Sequence, residues 1–211
     1  MSNPDHFIDE VTEELRRDKL FAMMRKYGWI AILGVVLIVG GAAFNEWRKA
    51  SAQAAAERLG DALSAALALE DADARKAAFD AIEAKGDAHA LVVLLEAGAL
   101  GDAESLAALE NLAADQSVSP LYRELAALKR AMAGDMEAGA RIALLEPLTK
   151  AGAPFRVLAE EQIAMSEFEL GKNEAAISRL QALLIDNDAS QPLRQRATQL
   201  IVALGAKPEA G

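Results

Sequence analysis

The sequence predicts an all-α protein: one membrane-crossing helix near the N-terminus, then a domain of stacked helix pairs. Three observations carry that class. Residues 27–45 are nineteen consecutive positions without a charge, in a chain that elsewhere places a charged side chain about every fourth position. No period-2 run of β-branched residues follows that stretch, so strands are not expected. Three glycine turns, at Gly101, Gly134 and Gly171, recur 33 and 37 residues apart, each between two apolar helical segments.

Residues 1–26 open with Asn3, a good N-cap, and Pro4 in the first helical position, followed by Phe7, Val11 and Leu15 at four-residue spacing. A short helix is expected there, either presenting that face to a partner or serving only as a tether. Its mixed charges argue against a helix lying in the membrane interface.

The membrane helix is placed at 27–47. At 1.5 Å per residue the charge-free run is roughly 28 Å long, matching a hydrocarbon thickness of about 30 Å. Tyr27 and Trp29 collar one end, Phe44 and Trp47 the other, where amphipathic rings favour the headgroup level. A cleavable signal peptide is the rival, since Ala50, Ser51 and Ala52 resemble a cleavage site. The run is too long for an ordinary signal core, 26 mixed-charge residues precede it, and Arg48 and Lys49 occupy the normally neutral cleavage region. Orientation follows from flanking bases: Arg16, Arg17, Lys19, Arg25 and Lys26 before the span, against Arg48, Lys49 and Arg58 after it. The five-to-three bias places residues 1–26 in the cytoplasm and the C-terminal bulk across the membrane. Ala31, Gly34, Ile38 and Gly41 form a stripe that suits either contact with another membrane helix or the ordinary glycine content of such spans.

The helical pattern continues from Glu46 to about Leu69, with Leu59, Leu63 and Leu67 in register, and Asp71 to Asp73 interrupt it. A second helix is expected over about 74–84, ended by Lys85, Gly86 and Asp87. The domain is bounded at 48–205, with 206–211 a disordered tail and fraying from Gly205. From Ser51 onward 25 Asp and Glu outnumber 15 Lys and Arg, which makes nucleic acid a poor partner. Cysteine is absent, so disulfides, thiolate metal sites, a catalytic Cys and a lipid-modified Cys are excluded.

Within the domain, Gly101, Gly134 and Gly171 each follow an apolar helix (about 88–100, 120–133 and 155–170). An acid stands three residues after each glycine (Glu104, Glu137, Glu174), and the next helix carries a Leu-x-x-Leu step at 109, 145 or 180. Glycine accepts a left-handed backbone at a helix end, and the acid sits at the positive N-terminus of the next helix. A period near 34 is the signature of tetratricopeptide arrays, whose helix pairs bury their apolar faces only by stacking. The third unit is most similar to that consensus, with Ala164, Gly171, Ala176 and Leu180; Glu160 replaces the usual early Trp, and the closing Pro has no counterpart. The domain is therefore expected to be a tetratricopeptide-like helical-repeat solenoid. A last helix over 192–204, with Arg194, Gln195 and Arg196 on its polar side, suits a cap.

No catalytic constellation is visible, and the chain is not expected to be an enzyme or to carry a metal or cofactor. His6 and His89 fall on opposite sides of the proposed membrane, and His89, at a helix start, suits an ordinary, partly exposed side chain. Glu160 and Glu161 point in different directions on a helix and are expected to be solvated. A phosphate-binding Gly loop, a Gly-x-Ser-x-Gly elbow and a His-Glu-x-x-His motif are all missing.

The short N-terminal helix with its segment 7–20, the single N-in span, and the Ala-rich repeat domain with the Gly171 unit together resemble the YfgM-like family of bacterial inner-membrane proteins. That resemblance implies an ancillary subunit of the Sec translocon. Its domain would be periplasmic, would associate with the translocon and a membrane-bound periplasmic chaperone, and would assist newly exported client proteins. Carrying the repeat family's groove positions onto the two better units gives Glu124, Leu128 and Met132, then Glu161, Met165 and Phe168. These are either a protein-binding groove, where Met and Phe suit varied apolar clients, or inter-repeat core. Two other roles stay open: a scaffold of another cell-envelope complex, and a regulator acting through the cytoplasmic helix.

Overall fold

The computed structural model describes the backbone of residues 4–208 and the side chains of 21–208 apart from 22 and 31. The Asn3 cap, the Phe7, Val11 and Leu15 face, His6, the side chain of Ala31 and the tail at 209–211 lie outside the described residues. Among those described, every regular element is helical. The chain divides into two compact units, residues 1–58 and 59–211.

The first unit lies within α1 (Pro4–Leu67), a helix long and apolar enough to cross a membrane. None of its apolar window is buried against protein, and Trp29 and Trp47 are 62% and 65% exposed. The Phe44 and Trp47 rings lie 6.0 Å apart between centroids with their planes tilted by 38°, and Lys26 Nζ lies 5.5 Å from the centre of the Tyr27 ring. Among the described residues, nothing would touch a Cβ added at Gly34 or Gly41.

The second unit begins in the last turns of α1 and continues through α2 (Ala72–Asp80), α3 (Asp87–Ala99), α4 (Ala103–Ala114), α5 (Pro120–Met132), α6 (Ala138–Leu145), α7 (Arg156–Glu169), α8 (Asn173–Ile185) and α9 (Gln191–Ala203). The start of α2 is fixed by Asp71, whose side chain accepts a 2.8 Å hydrogen bond from the Ala74 N–H. That helix ends at Asp80, four residues earlier than the pattern predicts. The chain turns there so that Ile82 and Ala84 pack on Leu63, Phe79 and Val92. A 3-10 turn at Glu146–Thr149 shortens α6, because Pro147 has no N–H to continue an α-helix.

The three glycine turns take the left-handed backbone the sequence predicts, with φ of 65°, 84° and 75° at Gly101, Gly134 and Gly171. After α7, Gly171 N–H donates to Phe168 O and Lys172 N–H to Glu167 O, both at 2.8 Å, satisfying carbonyls at the helix end. The acids follow as expected. Glu104 and Glu174 stand in the first turns of α4 and α8, and Glu137 is the N-cap of α6. Gly205 does not release the chain: it repeats the same turn, Ala206 N–H donates to Ile201 O, and Ala206 packs on the α7–α9 core.

Each core cluster joins a helix pair to the first helix of the next. Val93, Leu94, Leu109, Leu112 and Ala126 join α3, α4 and α5; Leu128, Leu145 and Ile163 join α5, α6 and α7; Ala164, Leu180, Leu193 and Ile201 join α7, α8 and α9. A single pair would leave these faces wet, so the register of one pair is set by its successor.

Candidate protein-binding groove

The first helices of successive pairs, α5 and α7, together with α9, enclose a groove of about 680 Å³. Helical spacing of three and four residues puts Leu158, Glu161 and Met165 on one face of α7, and Arg196, Leu200 and Ala203 on one face of α9. Met132 closes the third side from the end of α5, and Gln162 and Gln199 add two amides. An adjoining small cleft, lined by Ala164, Phe168, Leu180 and Leu204, shares Met165, Leu200 and Ala203 with the groove, and the two side by side make up a channel that is apolar but for Glu161, Gln162, Arg196 and Gln199.

The six residues singled out from the sequence separate into four kinds. Met132 and Phe168, 59% and 52% exposed, and half-buried Met165 form the open apolar surface. Leu128 is only 4% exposed and packs on Leu145, Ala159 and Ile163, so it is inter-helix core. Glu124 is half-buried outside the channel, with Oε2 occluded and without a hydrogen-bond partner.

Glu161 is neither solvated nor alone. Its carboxylate is 4% exposed and accepts two 2.7 Å hydrogen bonds, from Nε and Nη2 of Arg196, across 35 residues. The expectation of two solvated acids fails at Glu160 too, because Arg179 pairs with both Glu160 and Glu167. Burial of a carboxylate demands such a partner, and a fork of guanidinium donors meets both oxygens at once. The hydrogen bonds to Glu161 hold the Arg196 pKa above its ordinary value. Arg196 Nη1 is left as the donor not used in that pair.

The sequence pattern put Arg196 on a polar, capping side of the last helix, and the structure puts it in the groove. The signal was present in the repeat: Glu161, Met165 and Phe168 advanced by 35 positions become Arg196, Leu200 and Ala203. Treating α9 as a cap concealed that equivalence.

Two other clefts are polar. One of about 430 Å³ between α7 and α8 is lined by Arg156, Glu160, Glu167, Arg179 and Asp186, which pair with one another. The other, about 320 Å³ between α3 and α4, is lined by Asp80, His89, Glu96, Glu104 and Asp115. No group of three His, Cys, Asp or Glu able to hold a metal ion occurs among the described residues. No family model, curated protein or solved structure matches this chain.

Proposed function

We propose that this protein is a membrane-anchored protein-binding module, with α1 as a single span and the α5, α7 and α9 groove as the binding surface. The observation that carries the proposal is the apolar channel. Met132 and Phe168, each more than half exposed, and half-buried Met165 gather thioether and aromatic surface along this one channel. Thioethers are polarizable and flexible, so one surface accommodates differing apolar segments. The helix pairs α3/α4, α5/α6 and α7/α8 act as tetratricopeptide-like units of a short solenoid, an assignment supported by the glycine period and by the core shared between successive pairs.

In this proposal the span lies in a bacterial inner membrane with the N-terminus cytoplasmic and the helical domain periplasmic, following the five-to-three excess of bases before the span. The role implied by the resemblance is assistance to the Sec translocon and a membrane-bound chaperone in handling newly exported proteins. Two measurements on the full chain in cells test it together. A topology reporter after Gly211 is expected to signal the periplasm, and a photocrosslinker at Met165 is expected to capture exported proteins, translocon or chaperone. A cytoplasmic reporter signal, or crosslinks to none of these, would sink the proposal.

A further inference from the structure

The channel's chemistry also points to a class of client. Its walls are apolar, and its charged groups, Glu161 and Arg196, neutralise each other, so the channel offers no net charge of its own. The surrounding unit is strongly acidic: residues 59–211 carry 24 Asp and Glu against 14 Lys and Arg.

We infer that the channel's preferred occupant is an apolar peptide segment flanked by Lys or Arg, its apolar side chains between Met132, Met165 and Leu200 and its basic flanks in the acidic field of the surrounding unit. Polypeptide rather than lipid is indicated by Arg196 Nη1 and the amides of Gln162 and Gln199. These can bond the main-chain carbonyl and N–H groups of a peptide, which an acyl chain lacks. The acidic field attracts the basic flanks over the distances at which encounter is decided, and the neutral apolar walls hold the segment once docked.

This inference rests on the groove proposal above, and the test separates the two. The full chain in zwitterionic lipid nanodiscs, with empty discs as the blank, is titrated with three fluorescent peptides. They share one ten-residue Leu, Ala and Phe core and carry Lys-Lys, Ser-Ser or Glu-Glu at each end. At low salt the Lys peptide is expected to bind about tenfold more tightly than the Glu peptide, with the Ser peptide between. Raising the salt to several times the concentration at which the Debye length is about 10 Å is expected to shrink that preference. Met165→Ser and Phe168→Ser, both at channel positions outside the tight core, are expected to weaken all three peptides alike. Equal binding of the three overturns the charge inference and leaves the groove proposal standing, whereas binding of none overturns both.

Discussion

A carboxylate that looks like surface in the sequence, Glu161, is among the most enclosed polar groups of the domain, and its partner lies one repeat further on. Arg196→Met leaves that carboxylate enclosed and unpaired, and is expected to cost roughly 2–3 kcal/mol, less than a fully buried pair because Arg196 itself is half exposed. The urea midpoint should fall at constant m value, and a loss near zero would contradict the enclosure. Glu161→Leu combined with Arg196→Met should recover much of that loss, since an apolar pair needs no partner. Acid sensitivity has its origin in other residues. Hydrogen bonds from Arg156 hold the Asp186 carboxyl below its ordinary pKa, and Ser105 and Arg130 do the same for Asp102 and Asp135. A depressed folded pKa contributes stability that is complete above the unfolded value of about 3.9 and is lost as pH falls through the folded value. The melting temperature is therefore expected to decline below about pH 4, and Asp186→Asn should flatten that decline. An unchanged slope in the variant would remove Asp186 from the account. The direction of a helical side chain was legible from spacing alone, as at Glu160 and Glu161. Whether it met water or a cation was not, because the cation sits on another helix.

Helix boundaries were legible wherever a local chemical signal sets them. Asp71 caps α2, Pro120 opens α5, and Gly101, Gly134 and Gly171 end α3, α5 and α7 near the expected residues. They were illegible where packing decides, as at Asp80, where the helix gives way so that Ile82 and Ala84 reach the first core cluster. Two substitutions separate backbone strain from helix propensity. A Cβ at Gly171 meets no neighbour, so Gly171→Ala suffers only the left-handed penalty and is expected to destabilise by about 1–2 kcal/mol. Gly139, inside α6 and equally free of neighbours, should gain about 0.5–1 kcal/mol as Ala. Thermal melts of the two variants should shift in opposite directions, and a shared sign would show that packing dominates at one of them. The last helix repeats the first-helix positions of the earlier units, so α9 belongs to the channel as much as to the end of the domain.

At the scale of the whole molecule, the exposed apolar surface of α1, from Phe21 to Trp47, finds no partner among the described residues. Deleting residues 27–47 is expected to move the protein from the carbonate-resistant membrane pellet to the soluble fraction, and a deleted form still held in the pellet would place the anchorage elsewhere. The helical class, the long apolar helix and the helix pairs were legible because charge-free length and glycine period are properties of the linear chain. The channel was half legible: the period finds Met132, Met165 and Phe168, but only packing reveals that Leu128 lies beneath the surface and that α9 forms the third wall. The core clusters described above each close within three consecutive helices, and this has a kinetic consequence. Low sequence separation between partners keeps loop closure cheap and folding fast, and makes each step dependent only on the helix arriving next. A chain delivered N-terminus first would therefore assemble cluster by cluster in the order of its emergence, and its final step, the closing of α9 over α7, would complete the channel last.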